Sequence, residues 1–493
     1  MEQSDQIQNL LRLKGEDQNT KVESDVLEAQ TINENYATFN LQKKGLLSPS
    51  SRLIIPLYAS GLNKANCRLP MYSGAYIIKN ATIRTGSGVV LAQSSRINML
   101  CSMRNAWKDQ SSRQRRGQFV NGCWNVWEYT TDNNGTGNVV YTGKYGIGGL
   151  EGADQKPRFK LGETDGNGAI NDDDCVEYSI ALSELFPEMM PITLPLFALS
   201  ESVQLFLEFA PQQERKVSGV GVEATQGDVL INTNQVKFVS DHIYYSGDSM
   251  SKLQAVTTTS TGLPIAYGDY NTIDLTYTKP TTPAAGSVAK KTFVNSIGMA
   301  GLRVKHLLMN VHNNDASQQL AQKIGGNFAT VGDRGGSGSC ELQLQVNNIN
   351  YYNEPLTNDE FWRELTDCYG VDASIPYPVY TAVGAVSDGK FGDTANVIGT
   401  VKDRCLITTD GVFTGTPVEQ RHLLASQQYM GVNFTHDRTN NGMNGIEVGQ
   451  SPVQITFSKN FTDLDAYNLE NTIFACVQRV MVIKNGDVIV NFS

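Results

Sequence analysis

Charge is scarce in this chain. Of its 493 residues, 18% are Asp, Glu, Lys or Arg, against roughly 25% in ordinary soluble domains. The net charge is −10, which argues against general nucleic-acid binding, because that needs clustered Lys and Arg to release phosphate counterions. The one basic cluster, Arg113-Gln114-Arg115-Arg116 after Lys108, reads as a solvated loop. Long apolar runs are missing too. No stretch approaches the roughly 18 consecutive apolar residues of a transmembrane helix. Met1-Glu2-Gln3-Ser4-Asp5 offers neither a basic n-region nor an apolar h-region, so no secretory signal peptide is expected. Cysteine pairs are absent: Cys67, Cys101, Cys123, Cys175, Cys340, Cys368, Cys405 and Cys476 contain no C-x-x-C. Several sit in strand-like apolar runs, as in Phe474-Ala475-Cys476-Val477, where a free cysteine acts as a small buried hydrophobe. A reducing compartment without a disulfide framework is the expectation. The N-x-[ST] sequons at Asn80, Asn134, Asn433, Asn460 and Asn491 are as many as this composition yields by chance.

Catalytic and ligand-binding patterns are also lacking. Gly384-Ala385-Val386-Ser387-Asp388-Gly389-Lys390 imitates a phosphate-binding loop, but Phe391 stands where a Ser or Thr hydroxyl must reach magnesium. Gly146-Ile147-Gly148-Gly149 lacks the third glycine of a dinucleotide fingerprint. The chain has five histidines, His242, His306, His312, His422 and His436, none at metal-ligand spacing, and each reads as structural. Asp172-Asp173-Asp174 fails the calcium-loop pattern, with Ala169 at an oxygen-ligand position and Ile170 at the glycine position. Glu360 and Glu364, beside Asp359, could pair as glycosidase carboxylates but fit the polar face of an amphipathic helix. No nucleophile elbow occurs. The expectation is a non-enzyme with no catalytic residues, cofactor or metal.

What the chain does have is asparagine and glycine. Asn is about 8% and Gly totals 45 residues, both residues of turns rather than of strand interiors. Length alone suggests about three domains, though all-β domains can run to roughly 250 residues. Residues 1–50 are polar and show little strand pattern. Ile7, Leu10 and Leu11 could form one short amphipathic turn, so this segment reads as an arm. From residue 52 the hydrophobic period is two. Residues 130–175 read as extended surface loops, and 247–291, rich in Ser, Thr, Gly and Pro, as linker-like. Thr357-Asn358-Asp359-Glu360 is a capping box opening a helix with a Phe361, Leu365 and Cys368 stripe. Val480 to Val490, turning at Asn485-Gly486, is a tight hairpin.

One internal repeat stands out. Ser202-Val203-Gln204-Leu205-Phe206-Leu207 resembles Pro452-Val453-Gln454-Ile455-Thr456-Phe457. Each copy is followed by a further apolar strand, Val236-Lys237-Phe238 and Val480-Met481-Val482. The pattern predicts an all-β chain of tandem β domains: an arm at 1–50, a first barrel at 51–246 and a second at 247–493. Two eight-stranded, two-sheet jelly rolls with short helices in their loops suit these lengths.

The chain resembles the double jelly-roll major capsid proteins of double-stranded DNA viruses, most nearly those of polinton-like viruses and virophages, with large eukaryotic DNA viruses more distant. The likeness rests on Arg68-Leu69-Pro70 with Ser73 to Asn80, on Leu342 to Asn348 with the Phe361-Trp362 helix, and on the Arg479 to Gly486 hairpin. It implies a homotrimeric, pseudo-hexagonal capsomer tiling an icosahedral shell, often over an internal membrane. It also implies contacts with minor capsid and penton proteins. The protein would be made in the host cytoplasm or a viral factory and end in the virion, with no sequence-specific nucleic-acid contact. By the same analogy residues 130–175 face outward and the arm lies at the base. The rival is a secreted or surface jelly-roll protein that binds or cleaves carbohydrate through Trp124, Trp127 and Asp172.

Overall fold

The structure is a computed structural model. It describes residues 11, 20–60, 74–106, 176–189, 192–215, 228–313, 340–357, 430–435, 445–461 and 468–492. It also describes short strands at 126–131, 139–144, 150–151, 156–157, 162–163 and 412–413, and helical residues 360, 364, 367 and 368. Among these, no helix is long and apolar enough to cross a membrane.

The first barrel has eight principal strands: β1 (Lys21–Glu28), β2 (Tyr36–Leu41), β3 (Arg52–Ser60), β4 (Ile78–Thr85), β5 (Val90–Ser95), β6 (Val176–Ala181), β7 (Val203–Phe209) and β8 (Lys237–Tyr244). They form two sheets, in the orders β1-β8-β3-β6 and β2-β7-β4-β5. The second barrel repeats the plan with β9 (Leu263–Tyr277), β10 (Ala289–Ile297), β11 (Arg303–Asn313), β12 (Cys340–Val346), β13 (Ile349–Asn350), β14 (Met430–Asn433), β15 (Val453–Phe461) and β16 (Leu469–Lys484). Its sheets run β9-β16-β11-β14 and β10-β15-β12-β13. Adding eight to each label of the first barrel gives the second, so both are jelly rolls of one topology. The repeat seen in the sequence falls on β7 and β15, which occupy the same place in their sheets. The strands that follow it, β8 and β16, are equivalent as well.

Period-two patterning is what makes these strands. In β7, Val203, Leu205, Leu207 and Phe209 are buried while Gln204 and Glu208 point outward, and β12 alternates the same way. Phe206 breaks the alternation because it lies on the outer face, stacked on Tyr36 at 6.0 Å with Arg84 over its ring at 5.5 Å. In the second core, Tyr277 stacks between Phe293 (4.6 Å) and Phe457 (5.4 Å). Each such pair contributes about 1 kcal/mol beyond area burial. A last strand, β17 (Asp487–Phe492), closes the predicted hairpin on β16 with Lys484 opposite Asp487. Asn485 (φ 52°) and Gly486 (φ 89°) supply the two positive φ angles of a type I′ turn.

Three expectations change. From residue 20 on, the segment expected to be an arm builds the first barrel's sheets: β1 pairs with β8 along its whole length, from Lys21 opposite Tyr244 to Glu28 opposite Lys237, and β2 pairs with β7. Leu11 is fully buried, and its carbonyl accepts from the Thr193 backbone N (2.8 Å) and Oγ1 (2.9 Å). The strand pattern of β1 was hidden because it is exposed or half-buried throughout and carries Glu23, Asp25 and Glu28. Residues 247–291 are not a linker either. They hold helix Gly247–Thr257, N-capped by Ser246, and the 15-residue strand β9, which is buried from Tyr267 to Tyr270. The stretch 130–175 is not wholly loop. Strand Val126–Thr131 pairs with Val139–Lys144, which also pairs with Val412–Phe413 from the second half of the chain.

Candidate functional site: the seam between the barrels

The two barrels share apolar packing. Ile473, Ala475 and Val477 of β16 enter the second barrel's core, while Phe474 and Cys476 enter a cluster continuous with the first barrel's core. Tyr267, Tyr270 and Leu308 join that cluster. Sheet β9-β16-β11-β14 is therefore buried on both faces, which explains the unbroken apolar run at 473–477. What covers its outer face comes from the first barrel: β5, helix α1 (Ile97–Ala106) and the segment 182–189 after β6.

Polar groups fix the register of this seam. The Tyr267 hydroxyl donates to the Leu91 carbonyl, and burial raises its pKa. Arg96, in the left-handed region at φ 51°, reaches across to Asp274 (2.8 Å), Glu470 (3.3 Å) and Thr472 Oγ1 (3.0 Å). Its own backbone N is held by Asn80 Oδ1 at 3.2 Å. Deeper in, Arg104 of α1 donates to Glu188 Oε1 (3.1 Å) and to the Tyr270 hydroxyl (3.0 Å). That hydroxyl donates to Glu188 Oε1 (3.2 Å) and contacts His306 Nε2 at 2.8 Å. Burial alone would raise the Glu188 carboxyl, but His306, Arg104 and Lys305 outweigh it and hold the pKa near 2. Burial lowers His306 to about 4, so at neutral pH a neutral imidazole stands beside an ionised Glu188–Arg104 pair. Cys476, also in this group, is fully buried, and burial raises its thiol well above the usual range. Ligand atoms of Glu188, His306 and Cys476 all lie within 4.8 Å of one another.

The backbones meet closely here. Gly268 N donates to the Glu188 carbonyl at 3.3 Å. A Cβ on Gly268 would stand 2.8 Å from Glu188 Cβ and 3.1 Å from Cys476 Sγ. Beside it, Asp269 is 4% exposed and pairs with Arg479 at 3.1 Å. Burial raises its carboxyl to about 7 against the pull of Arg479.

The residues weighed from sequence fall in several places. His242 is buried and bonded to Ser240 Oγ at 2.7 Å, and His312 is buried. Glu364 is not on a polar helix face: it is 9% exposed and accepts from the Tyr352 hydroxyl and the Asn433 backbone N, both at 3.2 Å. Glu360 does complete the capping box, accepting from Thr357 N at 2.8 Å. Cys101, Cys340, Cys368 and Cys476 form no disulfide among the described residues. Arg113-Arg116, Trp124, Gly146-Gly149, Asp172-Asp174, Gly384-Phe391, His422 and His436 lie outside the described residues. Sequence reasoning missed Glu188, Asp269 and Arg104, because nothing local marks a residue that another barrel will bury.

The fold is a double jelly roll, two barrels of one topology fused side by side. No family model and no curated protein matches the chain by sequence. Solved structures do match in fold. PBCV-1 VP54, fitted into a reconstruction of the virophage Sputnik, aligns at TM-score 0.56 and 9% identity, covering 96% of this chain and 97% of that one. A chain of the PBCV-1 capsid model aligns at 0.53 and 10% identity, again over 96% and 97%. The Faustovirus major capsid protein aligns at 0.51 and 9% identity, over 94% and 91%.

Proposed function

We propose that this protein is the major subunit of an icosahedral virus shell, a structural rather than a catalytic protein. One observation carries the reading: two topologically equal jelly rolls are fused through shared apolar packing, and solved viral capsid chains align with this fold over 94–96% of the chain. Three such chains present six similar barrels, which gives a pseudo-hexagonal capsomer able to tile a shell. The outward sheet faces support it. Gln204 bonds Asn40 at 3.1 Å, and Thr292 bonds Ser458 at 2.8 Å. Interface cores are depleted in charge, and on these faces neutral polar pairs sit beside few charges, such as the Lys290–Glu341 pair. In this reading the protein resides in the virion, made in the host cytoplasm or a viral factory. It meets minor capsid and penton proteins, with residues 130–175 on the outer surface. Size-exclusion with light scattering tests the assembly. A trimer of about 160 kDa, three times the 54.0 kDa chain, or a larger particle is expected. A stable monomer would overturn it.

A further inference from the structure

We propose that Glu188, His306 and Cys476 bind a zinc ion that staples the two barrels together. The three come from different elements: Glu188 from the first barrel's segment after β6, His306 from β11 and Cys476 from β16. They offer one oxygen, one nitrogen and one sulfur within 4.8 Å, the donor types zinc accepts at about 2.0–2.3 Å. Thiolate and imidazole select a borderline-soft ion over magnesium or calcium. Three protein ligands leave a fourth position for water.

The surroundings suit such a site. The Tyr270 hydroxyl holds both Glu188 Oε1 and His306 Nε2, the kind of outer contact that orients metal ligands. Arg104 and Tyr270 both use Oε1 of Glu188, and no hydrogen bond of the described residues uses Oε2. The side chains of Glu188 and Arg104 are each 21% exposed, which gives an ion a path in. On binding, the Cys476 S–H bond breaks, the S–Zn bond forms and the proton leaves to solvent. Thiolate and carboxylate then bring two negative charges to Zn²⁺, with Arg104 still bonded to Glu188 Oε1 and Lys305 as a second nearby cation.

Elemental analysis of the full chain, purified from zinc-supplemented medium, tests this directly. About one zinc per chain is expected. Cobalt(II) added to zinc-stripped protein should give a thiolate-to-cobalt charge-transfer band. Cys476→Ala and Glu188→Gln should each reduce zinc to near zero and abolish the band, while a chelator should lower the melting temperature of the wild type but not of either variant. Zinc-free protein that gives no cobalt band would overturn the proposal. So would full zinc content in both variants, which would place the ion elsewhere. Because these readouts use the chain itself, they hold whether or not it forms trimers.

Discussion

Gly268 is a point of close approach between the barrels. Its added Cβ would meet Glu188 Cβ at 2.8 Å, and that carbon lies on a segment pinned by its own carbonyl contact. Gly268→Ala is expected to cost about 1–3 kcal/mol, as overpacking does, read as a lower denaturant midpoint at unchanged slope. The neighbouring Asp269 makes a pH prediction. Its carboxyl is held at about 7 in the fold against an ordinary 3.8. The folded state therefore favours the protonated form. Its contribution is fully present below the ordinary value and is lost as pH rises through about 7. Relative to Asp269→Asn, the wild type should gain stability as pH falls from about 7.5 to about 4. Urea midpoints at a series of pH values check the sign. Neither residue was legible from its neighbours. Tyr267-Gly268-Asp269-Tyr270 looks like an ordinary turn-bearing stretch, and only burial under the first barrel gives these residues their roles.

At the scale of elements, local chemistry was readable where one face is buried. β7, β12 and the β16–β17 hairpin alternate cleanly or carry Asn-Gly, and the structure has them as expected. β1 was not readable. Val22 and Val26 are 57% and 62% exposed, so two of its three apolar residues point away from the core, Leu27 alone packs against it, and Asp25 on the inner face sits over Lys44 and His242. An arm and a strand make opposite predictions. Deleting residues 1–30 should strip β8 of its outer neighbour and abolish cooperative unfolding of the first barrel. Far-UV circular dichroism and limited proteolysis would show it. A truncated chain that melts like the full one would return this segment to an arm. Helix Gly247–Thr257 and β9 were hidden for a related reason: their Ser, Thr and Gly mark a boundary by composition, while the partners of β9 on β16 lie 192 to 220 residues away in sequence, from Tyr277 opposite Leu469 to Leu263 opposite Ile483.

At the scale of the whole molecule, the apolar cluster runs from the first barrel's core through the seam into residues of the second. Two barrels that share such a surface should unfold together. Calorimetry is expected to give one transition for the full chain, not two. An isolated second barrel, with Phe474, Leu308 and Tyr270 bared, should aggregate. The sequence by itself determined an all-β chain, two similar halves and the positions of the clearest strands and turns. These follow from period-two patterning, turn dipeptides and composition, which act over a few residues or over the sum of all of them. Only the tertiary structure decided that residues 21–41 build the first barrel, that the middle of β16 is covered on both faces, and that Glu188 meets His306 and Cys476. Those outcomes depend on which distant strands pair and on which face the second barrel covers. No local pattern encodes them, because the same alternating strand serves equally well with its far side in water or against a neighbour.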